Sequence, residues 1–384
     1  MIYYIPMNTP SSLWVRPTLS SAIFFSKQPE EQLRELVALA CCAPNSHNTQ
    51  PWRFFIDPAT GTITIAVHAG MILPESDPAG RQAVISVGCA IENILVAASA
   101  YGLHTRLSYI SLDKQSLYKG HRGNKSIPLA TITVRTSGSA SACAAGDDAS
   151  LLPCIRTRKM MRAEFDPARL ISEEVMDLLR TQTFTDGVSL HIVTDTTRRF
   201  AIAEFQGQAD NYVLNARRFA RELGDWLLPN DTASHVGMPG TTFGLDDLQA
   251  LRIHRGLIGE EKLEPEDMLR FSLGGKMGLE KSPALGFFTA PNDDIAAWLA
   301  TGRALQRTFL ILEREGISSA VHAAIVEVRL INRIFAASLG TLTPLCAVFR
   351  MGYPKDPSVK EARPHSPRLP LDEVLLKDQP IALS

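Results

Sequence analysis

Ala43-Pro-Asn-Ser-His-Asn-Thr-Gln-Pro-Trp52 is the stretch of this 384-residue chain that says most about its fold. Its two prolines fix φ and restrict the residues before them, and its amide and hydroxyl side chains can bond either a ligand or their own backbone. Residues 29–42, which precede it, carry apolar side chains at the spacing of one buried helical face. The stretch is predicted to be a rigid rim between a helix and a strand, although an ordinary loop of turn-forming residues has the same composition.

The segments after the rim predict antiparallel strands and a long helix. Residues 52–56 and 62–67 are two short β-rich runs around 57–61, whose Pro and Gly are typical of a hairpin turn. A long apolar helix at 85–103 and a strand at 129–134 follow. Because Glu92 and Asn93 lie near the middle of that helix, we expect it to be buried in protein rather than in lipid.

The order helix, hairpin, helix, strand occurs a second time. Val87–Leu103 and Thr301–Ile317 share the same Gly-to-Gly spacing and matching apolar positions, and each ends in Gly plus an apolar residue, as at a helix C-cap. A helix at 170–179 and a strand at 189–194 mirror the first helix and its strand. Two unrelated Gly-capped helices can look alike, but the ordered set of matches favours a duplication.

These patterns predict an α+β chain of two tandem half-copies, each with an antiparallel-type sheet flanked by helices. The first half spans 28–137, a small-residue linker 138–151, and the second half 152–376. A Gly-rich insert at about 225–282 has no counterpart in the first half. Its composition suits a mobile lid over a pocket, and an ordinary surface elaboration explains it equally well.

Composition favours a small-molecule partner in a reducing compartment. The formal charge is −1 and the pI about 6.8, so no basic field exists to attract nucleic acid or a membrane surface. Six cysteines without C-x-x-C spacing fit a cytoplasmic protein, and residues 1–7 lack the pattern of a signal peptide. Motifs for a metal site, for NTP or dinucleotide binding or for serine hydrolysis are not found in the sequence.

The run ACCAPNSHNTQPWRFFID resembles the flavin-edge motif of the nitroreductase family, A-P-S-S-x-N-x-Q-P-W-x-F. In that family the Pro/Ser/Asn part touches the isoalloxazine ring and ribityl chain of FMN, from the subunit opposite the one that holds the phosphate. The resemblance implies an FMN protein with a nitroreductase-like fold, in which the ring edge is contacted by Pro44, Asn45, Ser46, Asn48 and Gln50.

The second half is similar to the family's phosphate-binding segments. Arg158-Lys-Met-Met-Arg162 stands where the family has R-R-S-x-R, and Ser366-Pro-Arg-Leu-Pro370 resembles its closing tail. The resemblance implies that Arg158, Arg162 and Arg368 hold the phosphate, with Lys159 as an addition. Guanidinium suits a dianion because it offers paired charged donors. Taken alone, residues 158–162 are equally well explained as a solvated basic turn.

The first half carries the rim and the second half carries the phosphate-binding segments. The resemblance therefore implies one FMN per chain, at the interface between the two halves of an intrachain pseudo-dimer. Fused nitroreductase-like proteins of the actinobacterial dormancy group have this organisation. The implied function is an FMN-dependent oxidoreductase that passes electrons by ping-pong exchange from NAD(P)H or a substrate to a small organic acceptor. A further homodimer of fused chains is compatible with it.

Two other functions stay open from the sequence. The chain could sequester flavin under the insert without turnover, or keep the fold without the cofactor. No catalytic residue is assigned. His47 and His322 are candidate proton donors, although isolated histidines are more often structural. The family's E-G loop beside the flavin N5 has no Glu-Gly match at 316–325, where an alanine amide could substitute.

Overall fold

The computed structural model of the protein describes residues 18–117, 125–136 and 147–380. Residues 1–7, examined above for a signal peptide, lie outside this part of the chain. So does the predicted linker, apart from residues 147–151, which form a short helix.

The first half is built on a four-stranded antiparallel sheet. Pro29 occupies the first turn of its second helix, where the missing N–H costs nothing. The described helices are α1 (Ser21–Phe25), α2 (Pro29–Ala40) and α3 (Arg81–Ala100), and the strands are β1 (Trp52–Asp57), β2 (Thr62–His68), β3 (Leu103–Tyr109) and β4 (Ser126–Thr136).

The second half has its own four-stranded antiparallel sheet and many more helices. Its strands are β5 (Ser189–Val193), β8 (Ala284–Thr289), β9 (Ser318–Val321) and β10 (Ala347–Gly352), and a short parallel pair joins β6 (Leu227–Leu228) to β7 (Met238–Pro239). Its helices are α4 (Asp147–Leu151), α5 (Cys154–Thr157), α6 (Glu173–Arg180), α7 (Thr196–Asn215), α8 (Arg217–Trp226), α9 (Asp247–Ile258), α10 (Pro265–Glu280), α11 (Ile295–Arg314), α12 (Ala324–Glu327), α13 (Arg329–Ser338), α14 (Ser358–Ala362) and α15 (Leu371–Val374).

The two sheets have the same topology. Their strand orders are β1-β2-β4-β3 and β5-β8-β10-β9, so each strand of one sheet has a counterpart at the same position in the other. Long helices α3 and α11 occupy equivalent places between the second and third strands of each sheet. The predicted α+β fold with antiparallel sheets flanked by helices is confirmed. The insert between β5 and β8 begins already at Thr196, earlier than the predicted 225, so that it spans residues 196–282.

Helices α3 and α11 pack against each other along the seam between the halves. An added Cβ at Gly302 would overlap the carbonyl oxygen of Ile85 and lie only 2.8 Å from the Cα of Gly88, so the two backbones touch. The polar pair of α3 joins this contact: Asn93 accepts a hydrogen bond from Gln306 at 2.6 Å, and Glu92 pairs with arginines of α11. By length and composition α3 could cross a membrane, but most of it is buried inside the protein, as predicted.

The C-terminal segment returns to the first half. The backbone N–H of Leu376 donates to the carbonyl of Phe54 at 2.7 Å, which places the tail beside β1. Arg34 of α2 also pairs with Asp372 of α15 at 2.5 Å. The second half therefore contributes its last residues to the sheet of the first.

Candidate functional site

The rim has an unusual backbone. His47, Asn48 and Gln50 have φ values of 49°, 56° and 50°, in the left-handed region that non-glycine residues seldom occupy. Such conformations cost about 1–3 kcal/mol each and persist only where the surroundings hold them. The side chain of Asn45 supplies one such restraint, because its Oδ1 accepts a hydrogen bond from the Gln50 N–H at 2.8 Å.

Asn48 ties the rim to two distant segments. Its Nδ2 donates to the carbonyls of Gly237 at 3.0 Å and Pro367 at 3.1 Å, and its Oδ1 accepts from Arg368 at 2.8 Å. Thus a single buried amide joins the first half, the insert and the tail. The rim and the tail arginine meet as the resemblance implied.

Gln50 has a different place from the predicted one. Its side chain is fully buried, donates to the carbonyl of His235 at 2.6 Å and accepts from the N–H of Leu369 at 2.9 Å. Both ends of the amide are therefore used within the protein. Gln50 lines neither the small nor the larger cavity of the site, and instead connects the rim to the insert and the C-terminal tail.

The remaining predicted residues meet at a small cavity of about 80 Å³. The first half contributes the rim. Residues 158–162 and the tail segment 366–370 contribute cations, and the insert closes one side. Its wall consists of Pro44, Asn45, His47, Asn48, Arg158, Lys159, Met160, Arg162, Met238, Thr242, Arg363, Pro364, His365, Ser366 and Arg368. Ser46 lines the larger cavity next to it.

Arg158 has the largest unmet hydrogen-bonding capacity in this wall. It is 4% exposed, and its Nη2 donates to the carbonyl of Cys42 at 3.2 Å. Its Nε and Nη1 have no hydrogen-bond partner. Burial lowers the pKa of this guanidinium, which shows how poorly the site solvates a positive charge. A buried cation with free donors is what an anion site requires.

Several further cations lie close together at this site, and some of them lower the pKa of their neighbours. Burial, with Arg363 and Arg350 nearby, lowers the pKa of Arg162 to about 9. Burial is also the main cause of the lowered pKa of Arg368, about 10. Within the described part of the chain, Arg158, Arg162 and Arg363 form no ion pair with a carboxylate. Glu313, the carboxylate that acts on Arg158, is paired with Lys360 at 3.0 Å, and no Asp or Glu of the described chain lines the cavity.

Other contacts orient these cations. Arg368 donates from Nε to the carbonyl of Cys41 at 2.7 Å and from Nη2 to that of Ala43 at 3.0 Å, so the tail also grips the start of the rim. Arg162 lies over the ring of Phe243 at 4.0 Å. Lys159 donates to the carbonyl of Lys360 at 3.0 Å. Each of these contacts is made to a neutral group.

A larger cavity of about 490 Å³ adjoins the small one, and Pro44, Asn45, His47, Met160, Arg162 and Met238 line both. The first half contributes Ser46 and residues of α3 such as Cys89. The second half contributes the segment 320–324. Apolar side chains of the insert cover much of the remainder: Val213, Phe219, Leu223, Phe243, Leu245, Ile253 and Phe271.

The two candidate histidines both line the larger cavity, but neither is charged at neutral pH. Burial, helped by Arg162, lowers the pKa of His47 to about 4. Burial together with Arg350 and Arg162 places the pKa of His322 well below its usual range. Both imidazoles are therefore neutral and are poor sources of a proton.

One notable cation of the site was not predicted from the sequence. Arg350 lies in β10, is 3% exposed, and lines the larger cavity with Nε and Nη1 unpartnered. It packs over the ring of Phe165 at 4.1 Å and donates to the carbonyl of Ala163 at 2.8 Å. A lone arginine within the apolar run of a central strand is a signal that could have identified it. Among the described residues no cluster of His, Cys, Asp and Glu suits a metal ion.

Comparisons with known proteins bear on this site. No family model matches the chain. A Mycobacterium tuberculosis protein named putative NAD(P)H nitroreductase acg is 24% identical over 346 residues, which are 89% of this chain and 94% of that protein. A second protein of the same organism, also named a putative NAD(P)H nitroreductase, is 26% identical over 288 residues, 75% of each chain.

Among solved structures, a putative nitroreductase from Anabaena variabilis superposes with a TM-score of 0.46 and 10% identity, covering 92% of this chain and 93% of that one. The FMN-dependent nitroreductase NfnB of Mycobacterium smegmatis gives 0.38 and 17% identity over 60% of this chain and 98% of its own. The two mycobacterial relatives confirm the resemblance predicted from the rim. The chain is thus similar, along most of its length, to two Mycobacterium tuberculosis proteins named putative NAD(P)H nitroreductases.

Proposed function

We propose that the chain binds FMN across the two joined cavities and is an FMN-dependent oxidoreductase. The observation that carries this proposal is Arg158, a buried guanidinium with two unpartnered donor nitrogens and no carboxylate partner. It lies where the rim of one half meets the cations of the other. The names of the mycobacterial relatives support the same conclusion.

The residues present fit this cofactor. A phosphate dianion suits the small cavity, because Arg158, Arg162 and Arg368 bring several cations together there without competing carboxylates. A planar, largely apolar ring suits the larger cavity, whose wall includes Pro44, Asn45 and Ser46 of the rim. When bound, FMN supplies the two-electron redox chemistry itself. The predicted contact from Gln50 is not part of this proposal.

The protein's own residues supply position and electrostatics. The strained rim, fixed by Asn45 and Asn48, presents its polar edge without further rearrangement. Arg162 lines both cavities, so its charge favours added negative charge in the larger one. Apolar side chains of the insert exclude water from the same space. Electrons would enter from NAD(P)H or a substrate and leave to a small organic acceptor.

The organisation that we propose is one FMN per chain, held between a half at 28–137 and a half at 152–376. The equal strand orders of the two sheets and the return of the tail to β1 support an internal duplication. Small molecules are the proposed partners, with no nucleic acid or membrane. A cytoplasmic location is proposed because the five described cysteines are all buried free thiols.

The phosphate assignment is tested by comparing FMN with riboflavin, which lacks the phosphate. We expect the protein to bind FMN far more tightly, and Arg158→Met to lower that preference about 30-fold or more, since a charge-assisted bond to a buried group is worth roughly 2–3 kcal/mol. Fluorescence titration measures both affinities. Arg333→Met, which removes an exposed cation of α13, is the control and should change nothing. Equal affinity for FMN and riboflavin in the unchanged protein would refute the assignment.

Catalysis is tested separately, with the FMN-loaded protein under anaerobic conditions. Addition of NADPH or NADH should bleach the flavin absorbance, and a quinone or nitroaromatic acceptor should restore it. A yellow protein that neither nucleotide reduces would instead support the flavin-sequestering function. The relatives named as NAD(P)H nitroreductases favour the first result.

A further inference from the structure

The larger cavity has an acidic end remote from the cations of the phosphate arms. Four carboxyl groups gather there: Asp77, Asp210, Glu222 and Glu327. Two of them are fully used. Glu222 accepts from the N–H of Glu75 and from the N–H and hydroxyl of Ser76 at 2.6–2.9 Å, and Asp77 accepts from the N–H of Ala83 at the start of α3.

The other two carboxyls have spare capacity. Glu327, at the end of α12, is half-buried and lines the cavity, and its Oε1 accepts a long hydrogen bond from the Gln82 amide at 3.3 Å. Asp210 of α7 also lines the cavity and is 6% exposed. Its Oδ1 accepts from Gln206 at 2.8 Å, whereas Oδ2 has no partner. An unpartnered carboxylate oxygen in such a place is costly unless a ligand meets it.

The charges around Glu327 are mostly of its own sign. Burial, and then Asp77, Glu222 and Asp210, raise its pKa to about 8, against one opposing hydrogen bond from Gln82. Arg81 is at this end too: its Nη2 donates to the carbonyl of Val326 at 2.8 Å, its Nε has no partner, and its charge opposes the raised pKa of Asp77. Arg270 of α10 also lines the cavity. Among the described residues neither arginine forms an ion pair with Glu327 or Asp210, so these two acids are not paired with a cation.

The space beside these carboxyls is apolar. Phe219, Leu223 and Phe271 of the insert line the same cavity as Asp210 and Glu327. Gly275 of α10 packs directly on the Asp210 carboxyl, where any Cβ would collide with it. The insert thus offers a hydrophobic wall that ends at a pair of incompletely bonded acids. Such a wall complements an apolar body with a positively charged nitrogen.

We infer that Glu327 and Asp210 form a subsite for the protonated amine of an aromatic or alkyl amine, held against the apolar wall of the insert. The inference rests on the proposed function in one respect: the bound flavin leaves the acidic end of the cavity open to the amine. It names a substrate class that the flavin-binding residues do not determine. An amine would supply the hydrogen-bond donors that Asp210 Oδ2 and Glu327 lack.

Three probes that differ mainly in charge test the subsite: benzylamine, benzyl alcohol and benzoate. Isothermal titration of the FMN-loaded protein at pH 8.5, where both carboxyls are mainly ionised, measures their binding without reductant, whether or not the protein turns over. We expect benzylamine to bind about tenfold or more tightly than benzyl alcohol, and benzoate to bind least. Glu327→Gln and Asp210→Asn should each reduce the benzylamine preference severalfold. Asp225→Asn, an exposed carboxylate of α8, should leave it intact.

The outcomes separate this inference from the proposed function. A yellow protein that binds benzyl alcohol or benzoate as tightly as benzylamine overturns the subsite and leaves flavin binding standing. A protein that fails to bind FMN overturns the proposed function, and the same titrations on the flavin-free protein then decide the subsite. Retention of the full benzylamine preference in both the Glu327→Gln and Asp210→Asn variants, each checked for folding by circular dichroism, also overturns it.

Discussion

Replacement of Gly302 by alanine tests the packing that joins the two halves. The added methyl would overlap the carbonyl oxygen of Ile85 and lie 2.8 Å from the Cα of Gly88, where ordinary contacts begin at 3.4 Å. Both neighbours are backbone, so no side-chain rotation relieves the overlap. Helices α3 and α11 must separate by more than half an ångström, and a gap of about 0.5–1 Å forfeits a quarter to a half of the dispersion energy of each facing contact.

The expected cost lies at the upper end of the range for overpacked cores, about 3 kcal/mol. Urea unfolding followed by circular dichroism measures it as a lower midpoint. Gly274→Ala is a control with the opposite expected sign, because Gly274 is inside α10 and its added Cβ meets nothing within 4 Å. That variant should be more stable by up to about 1 kcal/mol, through helix propensity. A Gly302→Ala protein that unfolds at the same urea concentration as the parent would refute the packing argument.

Two further predictions concern the rim and the acidic end of the cavity. Asn48→Gly tolerates the left-handed backbone but loses the hydrogen bonds to Gly237, Pro367 and Arg368, so thermal unfolding should show a loss of about 3 kcal/mol in stability. Asn48→Ala should lose about 1 kcal/mol more, because alanine is strained at a positive φ. Equal melting of the two variants would contradict this strain. Burial raises the pKa of Asp210 from 3.8 to about 7, so the folded state binds the extra proton and the stability of the parent falls as pH rises through this range. Asp210→Asn should therefore gain about 2–3 kcal/mol relative to the parent between pH 5 and pH 8 in denaturant unfolding, and a pH-independent difference would contradict it.

The local patterns predicted the main elements of the first half and the long helix of the second. The period of apolar residues located α2 and α3, and the spacing shared by Gly88 and Gly302 marked the two long helices as counterparts. Strand β3 was missed because its residues are mostly exposed and alternate weakly. The early start of the insert was missed because the apolar residues of α7 are not concentrated on one face of the helix. Such a helix carries little periodic signal in the sequence.

The sequence predicted many of the residues that form the candidate site, but not the hydrogen bonds that they make. Arg158 and Arg368 could be paired with the rim by resemblance, and the structure places them at one cavity. Gln50 matches the same motif, yet its amide is used by His235 and Leu369, which lie far away in the chain. No local pattern reveals a hydrogen bond between residues so distant in sequence. The acidic end, with Asp210 and Glu327, was likewise formed by elements whose approach only the fold determines.

The three-way junction at Asn48 has a consequence for biosynthesis. Pro367, whose carbonyl that amide requires, leaves the ribosome 319 residues after it. At about 5–20 residues per second, the rim waits on the order of 15–60 s for its last partner. A nascent chain can form its first sheet during that interval but cannot complete the junction at Asn48. On the proposed function, we therefore expect a chain that ends before Pro367 to fail to capture FMN.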